Sequence, residues 1–204
     1  MVQTCGISEK FKIVRLSPTN AVENFDCGDR DLNDYITNRA SLFDQYMLAV
    51  SYTCIDSGTK QILAYFSLAN DKIATSDFPS MTEFNRFRRK QGFPNEKRLK
   101  SYPAVKLCRL AVDEHAKGNQ LGSGLLDYIK SMFVINNKTG CRFITVDAYL
   151  SAIPFYEKSL SLARQVFHFE IVGKKSFKWS SPFPSCRNRW EFVPSGPASS
   201  ALGW

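Results

Sequence analysis

Histidine is nearly absent from this chain: His115 and His168 are the only two in 204 residues. The six cysteines (Cys5, Cys27, Cys54, Cys108, Cys141 and Cys186) are scattered, with no C-x-x-C pair among them. A zinc centre needs clustered thiolate and imidazole ligands, so no metal site is expected. Buried, reduced thiols account for the cysteines; a Cys–His nucleophile is the alternative that two histidines leave open. No apolar run approaches the roughly 20 residues that span a bilayer, which argues against a membrane partner. Residues 1–16 carry Glu9, Lys10, Lys12 and Arg15 in place of a signal peptide's apolar stretch, so a cytoplasmic location is expected. Internal repeats are absent as well. Beyond Leu160 acids run out, leaving Glu170 and Glu191, while Ser, Pro and Trp accumulate.

What is present is the composition of a globular protein: 44% hydrophobic and 23% charged residues, enough apolar material for one full core. The expectation is one domain over residues 1–194 and a loose tail over 195–204. The net charge of +8 is uneven. Arg86, Arg88, Arg89, Lys90, Lys97, Arg98 and Lys100 face a single acid, Glu96, within one short window. Such a block suits a polyanion, whether cofactor phosphates or nucleic acid, and equally a solvated loop.

Hydrophobic patterning predicts a first strand at Phe11–Leu16, closed by Ser17-Pro18. A turn at Asp26-Cys27-Gly28 leads to a helix with Leu32, Tyr35, Ile36, Ala40 and Phe43 at helical spacing, and Asp29 and Asp31 suit its positive end. Val50–Asp56 and Gln61–Leu68 read as an antiparallel hairpin. Residues 75–102 lose periodicity and form a basic insertion or loop with one short helix around Met81–Lys90. A strand over Val105–Val112, a helix from Gly122 to Asn136 and an apolar strand at Arg142–Ala148 follow, the last buried on both faces. A short helix begins near Ile153, with Pro154 in its first turn. Phe167–Val172 and Trp190–Val193 are candidate final strands.

The informative segment is the strand-turn-helix from Leu107 to Leu126. Where a strand runs into a helix opening at glycines, N–H groups without intrahelical partners converge at the positive end of the dipole, which makes an anion cradle. Gly118, Gly122 and Gly124 allow close backbone approach, and Lys117 adds a positive charge. On its own this pattern is also that of a plain strand-to-helix turn. It is neither a dinucleotide fingerprint nor a Walker loop.

Lys117-Gly118-Asn119-Gln120-Leu121-Gly122 resembles the cofactor motif Arg/Gln-x-x-Gly-x-Gly/Ala of the GNAT acetyltransferase superfamily. Lys117 stands for the Arg/Gln, and Gln120 for the first motif glycine, where a side chain crowds the phosphates if the backbone requires φ > 0. Phe25-Asp26-Cys27-Gly28 with Leu32-Asn33-Asp34-Tyr35 is similar to the N-terminal signature of the branch containing tRNA-acetylating toxins. Tyr65-Phe66-Ser67-Leu68 looks like that branch's third strand, and Ala152-Ile153-Pro154-Phe155-Tyr156-Glu157-Lys158 like its Phe-Tyr helix. After Lys158 the family's usual Gly-Phe pair is missing, which suggests a diverged, replaced or frame-shifted end.

The resemblance implies an α/β (α+β) protein of the GNAT fold. Its central sheet is mixed and mostly antiparallel, with about six to seven strands, flanked by helices and splayed between the fourth and fifth. It implies acetyl-CoA as cosubstrate, bound by Leu110, Ala111 and Val112 along the strand and by Lys117, Gly118, Asn119, Gln120, Leu121, Gly122 and Ser123 at the turn. Tyr156 matches the family's general acid; a tyrosine merely packed on the core is the alternative. Asp113, Glu114 and Asp147 are nearby acids, none assigned as base. The toxin branch implies an aminoacyl-tRNA amino group as acceptor, with the Arg86–Lys100 block on tRNA backbone and Phe84, Phe87 or Phe93 stacking on bases. An antitoxin-like partner and a homodimer go with that branch. The rival readings are acetylation of a small-molecule or protein amine, and a non-catalytic binding module.

Overall fold

The computed structural model describes residues 10–17, 22, 24–91, 99–134, 140–141, 143–148, 150–156, 158, 169–171 and 188–194. Contacts divide the chain into two compact units, Met1–Asp71 with Ala104–Cys141, and Lys72–Pro103 with Arg142–Trp204.

In the first unit, β1 (Phe11–Arg15), β2 (Val50–Asp56), β3 (Ile62–Ala74) and β4 (Ser101–Val112) are neighbours in that order, β3 and β4 running on into the second unit. β1 pairs antiparallel with β2 (Phe11 opposite Asp56), and β2 with β3 (Val50 opposite Leu68). The hairpin turn is held by Asp56, whose Oδ1 accepts the N–H groups of Gly58 (2.9 Å) and Thr59 (2.8 Å). That is the local bonding by which aspartate favours turns.

Before β2 the chain forms one helical stretch in three parts. α1 (Arg30–Asp34) is capped by Asp29, whose Oδ1 accepts from Asp31 and Leu32 N–H. Tyr35–Arg39 is wound as a π-helix, with the Ala40 N–H bonded to the Tyr35 carbonyl, and α2 (Ala40–Gln45) follows. Leu32, Tyr35, Ile36, Ala40 and Phe43, the residues predicted at helical spacing, all meet one core with Leu16, Val22, Phe25, Tyr65 and Ala111. Tyr35 stacks on Tyr65 (6.2 Å between centroids), and Phe25 meets Tyr65 edge-on (5.3 Å). Edge and offset contacts are the geometries that ring quadrupoles favour. The Arg109 guanidinium lies 3.8 Å over the Tyr35 ring. α4 (Leu121–Val134) buries Leu125, Leu126 and Ile129, while Met132 and Phe133 are half-buried.

In the second unit, β5 (Phe143–Ala148), β7 (Asn188–Pro194) and β6 (Phe169–Ile171) lie in that order, all antiparallel. Both C-terminal strand expectations therefore land on strands, and β7 pairs with β5 from Ile144 (opposite Phe192) to Ala148 (opposite Asn188). The presumed tail at 195–204 lies outside the described residues. Among the described residues seven strands, antiparallel in the pairs β1–β2, β2–β3, β5–β7 and β6–β7, agree with the expected α/β architecture.

The predicted insertion carries α3 (Met81–Lys90), with Ser80 as N-cap accepting from Glu83 N–H. Its Phe84 and Phe87 are buried in an aromatic cluster with Phe78, Tyr102 and Phe143. This corrects the reading of Phe84 and Phe87 as bases' stacking partners: helical spacing turns them to the core and the arginines outward. Phe93 lies outside the described residues. Phe84→Ala removes a ring at the centre of that cluster and should cost roughly 3–5 kcal/mol by cavity formation. Urea unfolding checks it, as a drop in midpoint at unchanged slope.

Candidate active site

β4 ends at Val112, and the eight residues 113–120 carry the chain to α4. Asp113 donates its N–H to the Leu63 carbonyl of β3 (2.9 Å). A single 3-10 turn, Glu114–Ala116, follows, with Asp113 Oδ1 accepting from His115 N–H (3.0 Å). The next residues take left-handed backbone at Gly118 (φ +85°) and Gln120 (φ +56°). α4 then opens, with the Gly124 N–H bonded to the Gln120 carbonyl (3.0 Å). Gln120 is thus the residue after which the helix begins, and the first-turn N–H groups beyond it have no acceptor within the helix. Lys117, Gly118, Asn119 and Gln120 are exposed, while Ala116 and Leu121 on either side are buried and fix the turn.

A Cβ built on Gly118 or Gly124 meets no other atom within 4 Å, so both glycines border open space. A turn of exposed main chain at a helix N-terminus, bordered by glycines, suits a diphosphate. The φ at Gln120 realises the condition set by the motif: a residue with a side chain occupies a position where glycine is strain-free.

The structure brings the sequence-predicted residues Leu110, Ala111 and Val112 together with Lys117–Ser123 in one unit, at the two ends of the same connection. Leu110 and Val112 are half-buried and Ala111 is buried. The Lys117 ammonium is turned onto the N-terminal loop, where Nζ donates to the Cys27 carbonyl (2.8 Å) and lies 3.4 Å from Glu114 Oε1.

That loop is a feature sequence reasoning missed. Asp26 accepts the Glu114 N–H at its carbonyl (2.8 Å) and donates its own N–H to Asp113 Oδ2 (3.1 Å). Gly28, at φ +80°, packs so close that a Cβ there would collide with Glu114 Oε1. Asn33 holds the loop in turn, donating from Nδ2 to Asp26 Oδ1 (2.6 Å) and accepting the Cys27 N–H at Oδ1 (3.0 Å). The signal was in the chain: these are the polar letters of the N-terminal signature. Two of the nearby acids are hence engaged structurally, Asp113 by Asp26 and Glu114 by Lys117. The Asp147 side chain lies outside the described residues.

In the second unit, residues 153–156 are helical, as expected from Ile153-Pro154. Tyr156 is buried, edge-on to Phe155 (5.1 Å), and burial pushes its phenol up to about 12. On α3, Arg86 pairs with Glu83 (3.2 Å) and Arg89 reaches the Asn85 carbonyl (3.4 Å); both are exposed, Arg88 is half-buried and Lys100 is exposed. Lys97 and Arg98, and the side chain of Lys90, lie outside the described residues. Among the described residues the Cys–His alternative finds no support: burial raises the Cys27 and Cys54 thiols, Cys54 to about 11, and His115 is solvent-exposed; Cys5, Cys186 and His168 lie outside them. Among the described residues no His/Cys/Asp/Glu group could hold a metal.

Gln120→Gly should relieve the left-handed strain and stabilise the chain by roughly 0.5–1 kcal/mol, the αL cost less glycine's entropy. Thermal unfolding without ligand reads this as a rise in Tm.

No protein-family profile matches the chain. A tRNA-acetylating toxin of Mycobacterium tuberculosis (strain ATCC 25618 / H37Rv) is 30% identical over 135 residues, covering 66% of this chain and 73% of the relative. Among solved structures, AtaT complexed with acetyl-methionyl-tRNAfMet aligns with a TM-score of 0.62 at 20% identity, over 90% of this chain and 94% of that one. A mutant AtaT toxin bound to the C-terminus of the antitoxin AtaR and acetyl-CoA aligns with a TM-score of 0.58 at 18% identity, over 91% and 94%. At those identities the solved structures establish a common fold.

Proposed function

The chain belongs to the tRNA-acetylating toxin branch of the GNAT acetyltransferases, and from that premise we propose that it transfers acetyl from acetyl-CoA to the amino group of an aminoacyl-tRNA. The observation that carries the reading is the 30% identity to a tRNA-acetylating toxin across 73% of that protein. The turn at 117–124 supports it with the main-chain anion cradle that such a cosubstrate requires.

In the reaction the amine nitrogen bonds to the thioester carbonyl carbon, the carbon–sulfur bond breaks, the departing sulfur takes a proton, and the proton shed by the acylated nitrogen passes to solvent. The turn's N–H groups and the start of α4 hold the diphosphate. Strand geometry bears on β4's part. Because Asp113 directs its N–H to β3, the period of two sends the N–H and C=O of Leu110 and Val112 to the opposite edge. Those groups bind the amide-rich arm of the cosubstrate, and an N–H there steadies negative charge developing on the thioester oxygen.

Tyr156 supplies the proton. A phenol held near 12 by burial stays protonated at neutral pH; a free thiol's pKa is only roughly 8.5, so the proton passes to sulfur in step with carbon–sulfur cleavage, and the phenolate is then reprotonated from solvent. The acceptor needs no dedicated base, since an α-amine with a pKa of about 7.7–8.0 is partly neutral at pH 7. The exposed Arg86, Arg89 and Lys100 contact tRNA phosphates, joined by Arg88, Lys90, Lys97 and Arg98. An antitoxin-like chain is the protein partner. A tRNA acceptor puts the reaction in the cytoplasm, and among the described residues no helix is long and apolar enough to cross a membrane. One observation favours the second reading, a small-molecule or protein amine: Arg86 and Arg89 are engaged within their own helix.

Labelled acetyl-CoA incubated with a bulk aminoacyl-tRNA pool should yield acetylated aminoacyl-tRNA, and the rate should fall steeply with salt. Acetylation of polyamines or peptides with indifference to tRNA would establish the second reading instead.

Tyr156→Phe should keep acetyl-CoA binding by calorimetry and lower turnover by about 10²-fold or more. Full activity in that variant removes Tyr156 from the chemistry.

The sign of the pH dependence follows from the raised phenol. Rates should climb as the amine deprotonates up to about pH 8 and hold level to about pH 10, because the acid is still protonated there. Initial rates of thiol release across that range read it; a fall in activity well below pH 10 would mean a different acid.

A further inference from the structure

We propose that Asn33 and Asp26 are positioning residues for coenzyme A: through two loops they fix the Lys117–Gln120 turn, to which neither belongs. The inference rests on the acetyl transfer proposed above and adds residues to its binding step.

The connector 113–120 has little of its own to hold it. Its internal bonds, Ala116 N–H to Asp113 carbonyl (3.0 Å) and Lys117 N–H to Glu114 carbonyl (3.3 Å), are local and set only the 3-10 turn. Its tie to the sheet is Asp113 N–H on Leu63. Among the described residues three further bonds reach it from outside, and each ends on Asp26 or Cys27: Glu114 N–H to the Asp26 carbonyl, Asp26 N–H to Asp113 Oδ2, and Lys117 Nζ to the Cys27 carbonyl. The last of these falls on the first residue of the cradle itself.

The 25–29 loop is irregular too, and its rigidity comes from Asn33. One amide both donates to Asp26 and accepts from Cys27 N–H and, at 3.1 Å, from the Cys27 thiol. Asp26 Oδ1 also takes the Gly28 N–H (2.8 Å). Asn33 can serve as an anchor because α1 is fixed at its start by Asp29 and tied to β3 by the Tyr65 hydroxyl, which donates to the Leu32 carbonyl (2.7 Å). The order of support runs from β3 to α1, to Asn33, to the 26–28 loop, to the connector and so to the turn. Asp26 and Glu114 are anions, so the clasp repels a phosphate; its part in binding is placement.

Asn33→Ala leaves Asp26 and Cys27 short of partners and lets the connector shift. The dissociation constant for acetyl-CoA, measured by calorimetry on the folded variant, should weaken about tenfold. At saturating acetyl-CoA kcat should stay within about twofold, since no reacting group has been touched. Asn33→Asp is the near-isosteric second variant. It keeps the acceptor for Cys27 N–H and sets two carboxylates against each other. Its affinity relative to wild type should be as weak as that of Asn33→Ala at about pH 8, and recover in part at about pH 5.5, where the pair shares a proton. Lys117 and His115 on the connector act on Asp26 in both proteins, Asp29 precedes α1, and Asp113 and Glu114 bond to Asp26; whatever these groups contribute equally to both proteins cancels in the ratio. An unchanged dissociation constant in a folded variant overturns the proposal, whatever its melting temperature, and so does a loss confined to kcat. If the wild-type chain binds acetyl-CoA without acetylating aminoacyl-tRNA, the acceptor reading falls and the ratio still decides this one. If it does not bind acetyl-CoA, both fall.

Discussion

Two irregular pieces of chain, residues 25–29 and 113–117, hold each other in place through main-chain groups, and the cradle has its shape because of that contact. Neither segment has a strand or helix ladder to satisfy its N–H and C=O groups. Each takes partners from the other instead: Asp26 exchanges bonds with Asp113 and Glu114, and Cys27 receives Lys117. Gly28 takes the loop's left-handed turn (φ +80°) without strain. The core beneath, in which Phe25, Tyr35 and Tyr65 pack, keeps the loop's near end from drifting.

Much of the scaffold was legible because apolar residues announce it by spacing. Leu32, Tyr35, Ile36, Ala40 and Phe43 marked a helix and its inward face, and Val50–Asp56 with the strand after it marked a hairpin. What spacing did not reveal was the π-turn at Tyr35–Arg39, since one extra residue per turn still leaves the same side chains inward. The ends of strands were also hidden. β3 runs to Ala74 and β4 begins at Ser101, because Lys72 and Ser101 look polar and pairing rather than hydrophobicity extends the strands there.

The site was legible in outline and opaque in detail. Glycines before a helix flagged the turn, and the left-handed backbone at Gln120 was a condition the motif itself raised. The direction of Lys117 was not readable: a cation beside an anion cradle looks like a ligand, and only the fold shows the Cys27 carbonyl within its reach. Phe84 and Phe87 failed for a related reason. An aromatic among arginines reads as a stacking surface until the helix that carries it is seen to face them in opposite directions. Tyr156 had no local signal beyond the resemblance; its burial, and hence its stubborn proton, is a property of the folded chain.

The grip proposed for the 117–124 turn is written in peptide groups, and peptide groups are common to every amino acid. Its exposed positions can therefore change letters while the backbone path survives, though not without cost: glutamine stands at a left-handed corner where glycine would be free of strain. A motif of that kind erodes in sequence long before it erodes in shape. Chains with this corner are accordingly easier to find by superposing folds than by matching profiles, and this one, with no profile match and a shared architecture over most of its length, is an instance.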